Sequence, residues 1–153
     1  MFRRILVPTD GSELSKKAVQ EGVAFAQAMN ATVVGFYSPE DYQAFLANEY
    51  LPPGLVPKPS YNAKMQEAVD TNLASIETAA TAAGVRYEGF TLPAATPWPA
   101  IVEAAKEMGC DLIFMASHAR KGIAGLLKGS QAAQVMTHSS VPVLVWREES
   151  ANA

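Results

Sequence analysis

The stretch Met1–Asp10, MFRRILVPTD, decides the fold class. Ile5, Leu6 and Val7 form a short apolar run, and Pro8 ends it because proline has no amide to donate to a ladder. Thr9, Asp10, Gly11 and Ser12 then read as a turn that can start a helix. A strand that delivers an acid and a helix start to its carboxyl end is the usual floor of an α/β binding site. After the arginines both faces of residues 3–8 are apolar, which predicts a central strand of a parallel sheet.

The following segments repeat that logic. Ser12 is placed to cap a helix whose inward stripe is Leu14, Ala18, Gly22, Phe25, Ala26 and Met29, with Asn30 as terminator. Residues 31–37, ATVVGFY, are the second strand. Residues 38–60 contain prolines at 39, 52, 53, 57 and 59, so they read as an irregular excursion with a short helical piece near 41–48. A connection of that length suits a lid, a partner surface or a disordered segment. Ser60 is expected to start the next helix, with Met65, Val69, Leu73, Ile76, Ala80 and Ala83 facing inward and Gly84 closing it.

Residues 85–92 alternate Val85, Tyr87 and Gly89 against Arg86, Glu88 and Phe90, the pattern of a half-exposed or edge strand. Thr96 is expected to cap a third main helix with Pro97 at its first position, where a missing amide costs nothing. Ile101, Ala104, Ala105 and Met108 face inward there, and Gly109 ends it. Residues 111–116, DLIFMA, are nearly all apolar, as a central parallel strand requires. A loop follows from Ser117 to Leu127. Gly129 and Ser130 then open a short helix through Met136, and 141–146, VPVLVW, make the last strand with Pro142 at or outside the ladder. The order β-α-β-(loop)-α-β-α-β-(loop)-α-β predicts an α/β three-layer open sandwich with helices on both faces of a parallel sheet. No repeat or second domain is evident, so residues 1–153 read as one domain.

Composition narrows the function classes. The net charge of −3 argues against a general nucleic-acid binder. No apolar run approaches the roughly 20 residues of a membrane helix. Residues 1–10 turn polar too soon for a signal peptide, and the single cysteine, Cys110, excludes an internal disulfide and fits a reducing compartment. The reading is a soluble cytoplasmic protein.

Two places carry chemistry. Asp10, just past the first strand, suits a ribose hydroxyl, a divalent ion held through a phosphate, or its own Asx turn. Ser117–Ser130 joins a strand end to a helix start whose amides suit phosphate oxygens, with Arg120, Lys121 and Lys128 nearby; a solvated basic loop is the other reading. Neither GxxxxGK[ST] nor GxGxxG is present, so this is not a standard triphosphatase or dinucleotide fold by motif. His118 suits a phosphate contact, a base or a loop hydrogen bond. His138, at a helix end, suits a structural role. Two histidines and one cysteine so far apart give no metal-ligand spacing, and no Ser-His-Asp relay is visible. Trp98 is expected to pack against a neighbouring loop, Trp146 to fill an interface, and Tyr37 to lie against a base.

The segments 5–19 (ILVPTDGSELSKKAV), 111–130 (DLIFMASHARKGIAGLLKGS) and 139–146 (SSVPVLVW) resemble the universal stress protein family, in matching order and over residues 3–147. The resemblance implies a five-stranded parallel sheet in the order 3-2-1-4-5, a homodimer through the last strand (141–146), and ATP or AMP as ligand in some members and none in others. The family's Gly-x2-Gly-x9-Gly-Ser/Thr pattern falls here on Ala116, Ala119, Gly129 and Ser130. Pro8, Thr9 and Asp10 match positions near adenine and ribose, Tyr37 and Met115 match the walls around the base, and Gly129, Ser130 and Gln131 match the phosphate-holding helix start, with His118 and Arg120 in the loop between. Magnesium would come with the nucleotide, reaching Asp10 only through it.

Both leading glycines of the pattern are alanine here, each adding a methyl group and narrowing backbone freedom. Three roles follow: a stress-response or regulatory protein that binds an adenine nucleotide and hydrolyses it slowly at most, a nucleotide-free homodimeric interaction protein, or a small enzyme acting through His118. The sparse acid-base groups weigh against the third.

Overall fold

The computed structural model describes residues 1–117 and 130–148. The first strand, β1 (Arg4–Pro8), leads into α1 (Glu13–Met29) and β2 (Thr32–Tyr37). Next come the short α2 (Tyr42–Asn48), the long α3 (Lys58–Ala82) and β3 (Tyr87–Thr91). The chain then runs through α4 (Pro97–Glu107), β4 (Leu112–Ala116), α5 (Gln131–His138) and β5 (Val143–Trp146). All strand pairs are parallel, in the order β3-β2-β1-β4-β5, as the sequence predicts.

Alternation along the central strands divides the core in two. Ile5, Val7, Val33, Leu112 and Phe114 point to one face, against Val19, Val23 and Ala26 of α1 and Ile76, Ala79 and Ala80 of α3. Leu6, Val34, Phe36, Ile113 and Met115 point to the other, against Ala100, Ile101, Ala104 and Ala105 of α4 and Ala132 and Val135 of α5. Each fully buried Val, Leu, Ile or Phe contributes about 1.5–3 kcal/mol. Gly35 sits in β2 because a Cβ there would stand 2.7 Å from the ring of Tyr87. The Tyr87 hydroxyl is spent on the Leu73 carbonyl, and burial first, with Glu77 second, pushes its pKa up to about 12.

Several boundaries differ from the sequence expectation. The third helix starts at Lys58, not Ser60, because Pro59 is tolerated in a first turn whose amides lack intrahelical partners. The fifth runs to His138 rather than Met136. In α1 the buried stripe centres on Ser15, Ala18, Val19, Gly22, Val23 and Ala26, with Leu14, Phe25 and Met29 at its half-buried margin. Thr96 occupies the N-cap of α4 but makes no side-chain capping bond. Gln131 does that work from α5: its Oε1 accepts the Trp98 N–H at 2.8 Å.

The excursion after β2 is ordered by aromatic packing. Phe45 stacks on Tyr61 with centroids 4.6 Å apart, and Tyr42 tilts against the same ring. The Tyr61 hydroxyl donates to the Glu40 carbonyl and that of Tyr42 to the Val56 carbonyl, both at 2.6 Å. Glu40 also forms a parallel bridge with Ala94, so the excursion leaves the sheet beside β3.

The amino end of the sheet is closed by charged side chains. The Asp111 carboxylate accepts the backbone N–H groups of Arg3 and Arg4 at 2.9–3.1 Å. The Arg4 guanidinium donates to both Glu88 oxygens at 2.9 and 3.0 Å, and its Nε–H reaches the Met108 carbonyl. Hydrogen bonding from Arg4 holds the Glu88 carboxyl below its ordinary value. Burial pushes the Cys110 thiol up to about 11, so it stays protonated at neutral pH.

Candidate functional site

At the carboxyl end the strands part on either side of β1, whose neighbours are reached by crossovers in opposite directions. Ligands of open α/β sheets sit at such a switch point. A cleft of about 260 Å³ lies there. Pro8, Thr9 and Asp10 extend from β1, Phe36, Tyr37 and Ser38 from β2, and Met115 and Ala116 from β4. Pro97 and Ile101 of α4 close one side, with Ser15 and Glu40 completing the lining.

The floor is a hydrogen-bonded turn. The Thr9 N–H donates to the Phe36 carbonyl at 2.9 Å, tying the turn to β2. Thr9 Oγ1 accepts the Gly11 N–H at 3.1 Å and the Ser15 hydroxyl at 2.8 Å. Ser15 Oγ in turn accepts the Asp10 N–H at 3.1 Å. Asp10 Oδ1 accepts the Ser12 N–H at 2.9 Å, an Asx turn, and Ser12 Oγ caps α1 by accepting the Ser15 N–H. Gly11 has φ +81°, which calls for glycine, and a Cβ there would also oblige the Asn72 side chain, whose Oδ1 would lie 2.7 Å away, to shift. Asp10 thus fills the Asx-turn role while its exposed side chain lines the cleft.

The walls differ in character. Phe36, Ile101 and Met115 are buried and apolar. Tyr37 is half-buried; burial, and after it the Asp10 charge, raises its pKa, so its ring is an uncharged surface at neutral pH. An apolar slot with a few convergent polar groups is the usual makeup of a small-molecule site. Among the described residues no cluster of three or more His, Cys, Asp or Glu could hold a metal ion.

Of the residues singled out from sequence, Pro8, Thr9, Asp10, Tyr37, Met115 and Ala116 come together in this cleft. Ser130 and Gln131 do not line it. Ser130 caps α5, accepting the Ala133 N–H at 3.0 Å, and Gln131 holds the start of α4 one residue beyond Pro97. The fifth helix therefore begins beside the Pro97 wall. His118, Ala119, Arg120, Lys121, Lys128 and Gly129 lie outside the described residues. The Trp98 ring stacks on His138 of α5 with centroids 4.4 Å apart, and His138 Nδ1 lies 2.9 Å from the Gln134 carbonyl. Sequence reasoning missed Ser15, Ser38, Glu40, Pro97 and Ile101 as lining residues. The nearest signal was Pro97 at a helix start facing the strand ends.

A family model described as the universal stress protein family matches residues 1–147. The chain belongs to the universal stress protein family. It is 28% identical over 148 residues to universal stress protein MJ0531 of Methanocaldococcus jannaschii, covering 95% of this chain and 82% of that one. The structure of the hypothetical protein MJ0577 superposes with a TM-score of 0.76 at 24% identity, covering 99% of both chains, which speaks to the fold alone. A universal stress protein solved in complex with cAMP superposes with a TM-score of 0.71 at 26% identity, covering 97% of this chain and 98% of that one. No helix among the described residues is long and apolar enough to cross a membrane.

Proposed function

We propose that this universal stress protein is a cytoplasmic stress-response or regulatory protein that binds an adenine nucleotide, AMP or ATP, in the cleft above β1 and β4. The observation that carries the reading is the convergence of Pro8, Thr9, Asp10, Tyr37, Met115 and Ala116 on one apolar-walled cleft. The cAMP complex of a family member supports adenine as the base. At about 260 Å³ the cleft is near the lower end of ligand pockets and suits a base and sugar. The phosphates would extend past Pro97 toward the start of α5, where Ser130 and Gln131 stand and Gly129 adjoins in sequence, with His118, Ala119 and Arg120 following β4 in the chain. Tyr37 and Met115 would hold the base, and Asp10 the ribose. Magnesium would arrive with a triphosphate, held by its oxygens and by the exposed Asp10 carboxylate. Hydrolysis would be slow at most, since no histidine, lysine or cysteine lines the cleft among the described residues.

The chain would form one domain, 1–153, and pair with a second copy through residues 141–146. Supporting this, β5 is an edge strand that pairs only with β4 among the described residues, and Val143, Leu144, Val145 and Trp146 are each half-buried. Light scattering tests it: twice the 16.3 kDa chain mass is expected, and a monomer contradicts it. A second reading, a nucleotide-free interaction protein, is favoured by one observation: the Ala116 methyl lines the cleft where the family pattern has glycine. Titration calorimetry with AMP, and with ATP with and without magnesium, separates the two. One site per chain supports the first; no heat at millimolar nucleotide supports the second.

A further inference from the structure

The turn beneath the cleft leaves one hydroxyl hydrogen without a partner among the described residues. Thr9 and Ser15 are 9% and 5% exposed, and both line the cleft. Each hydroxyl has one hydrogen to donate and two lone pairs to accept with. Their oxygens are 2.8 Å apart, so one hydrogen lies between them. The Gly11 N–H fills a lone pair on Thr9 Oγ1, and the Asp10 N–H fills one on Ser15 Oγ. No other described group accepts from either hydroxyl.

Count the two possible directions of the central bond. If Ser15 donates to Thr9, then Thr9 Oγ1 has accepted twice and its own hydrogen is unused. If Thr9 donates to Ser15, then Ser15 Oγ has accepted twice and its hydrogen is unused. Either way the hydroxyl left over is saturated as an acceptor and can act only as a donor. A buried donor without a partner is costly, and a ligand oxygen entering the cleft would relieve that cost.

We propose that the Thr9–Ser15 hydroxyl pair donates its spare hydrogen to an oxygen of the bound nucleotide's ribose or phosphate, and that Ser15 is a binding residue of this site. The inference rests on the adenine-nucleotide reading above. Apolar Phe36, Ile101 and Met115 line the part suited to a base, so the polar pair beside Asp10 meets the sugar-phosphate part.

The test is a grid of dissociation constants. Wild type, Thr9→Ser, and the double variant Thr9→Val with Ser15→Ala are titrated with AMP, adenosine, 2′-deoxyAMP and 3′-deoxyAMP. Adenosine removes the phosphate, and each deoxy compound removes one sugar oxygen. In wild type, one of these three is expected to bind about tenfold more weakly than AMP, and which one identifies the oxygen. Thr9→Ser keeps that penalty. In the double variant AMP weakens by about the same factor and the penalty disappears, because the donor is gone. A merely structural role for the pair would weaken all four ligands alike and leave the penalty in place, overturning the proposal. Equal binding of all four ligands to wild type overturns it without any variant. Failure of AMP to bind wild type overturns the nucleotide reading as well, whereas AMP binding without the coupling removes only the role of the pair.

Discussion

The two ends of the sheet are built from the same strands to opposite effect. At the amino end every charged group named is spent on the protein itself: Asp111 on two backbone amides, Arg4 on Glu88 and the Met108 carbonyl. At the carboxyl end the strands open on a cleft, the floor hydroxyls hold a spare donor, and the buried Ser117 Oγ at the end of β4 has no partner among the described residues. Buried polar groups are normally satisfied, so their shortage at one end and completeness at the other divides stability from binding along a single β-strand axis. The amino end holds β1, β3 and β4 in register, and the carboxyl end carries the cleft proposed to take a ligand.

The largest effect should come from breaking the finished end. Asp111→Ala strips the acceptor from two backbone N–H groups and should cost about 2 kcal/mol in urea unfolding, with AMP affinity unchanged. A matching loss of affinity would mean that the two ends are not separate. The converse change is Asp10→Ala, which should weaken AMP about tenfold while costing less stability than Asp111→Ala, since the group is exposed and loses one Asx-turn bond. Calorimetry and urea unfolding on the same samples read both numbers. If Asp10→Ala proves the more destabilising of the two, the division fails.

Smaller changes sharpen the comparison. Ala116→Gly removes the methyl of a residue that lines the cleft. It should tighten AMP by about threefold, while the strand loses about 0.5–1 kcal/mol from added chain freedom. The smallest effect is expected at Glu88, which is exposed and paired with Arg4. Its folded pKa lies below the ordinary 4.5, so its stabilisation is present above that value and is lost as pH falls through the folded value. Glu88→Gln should therefore be slightly less stable than wild type at pH 7, and the gap should close on acidification below about 4.5. Thermal melts from pH 7 to 3 check this.

The finished and unfinished ends were not equally legible in the sequence. The central place of β1 and β4 follows from Ile5–Leu6–Val7 and Leu112–Met115, because runs apolar on both faces are only stable inside a parallel sheet, whereas the strand order is implied by the family resemblance. Of the residues at their carboxyl tips, Asp10 was legible from its place just past a strand, and Pro8, Thr9, Met115 and Ala116 from the family resemblance. What stayed hidden depends on contacts distant in sequence. Thr96 sits at the N-cap of α4 as its sequence position predicts, but the bond to the helix start comes from Gln131 across 33 positions. Glu40 reaches the cleft because it bridges to Ala94 and because Tyr61 holds its carbonyl, neither of which a local pattern encodes. Ser15 resembled any small residue in a first helical turn. Only the distances to Thr9 and the Asp10 amide reveal its role.

Whether the open end takes a nucleotide is most directly read from the side chains that wall it. In methyl NMR spectra of the wild-type protein, added AMP should shift Met115 and Ile101, with Val19 and Val23, on the opposite face of the sheet, staying in place. No shift of Met115 and Ile101 at millimolar AMP, or shifts confined to residues away from the cleft, would contradict the account.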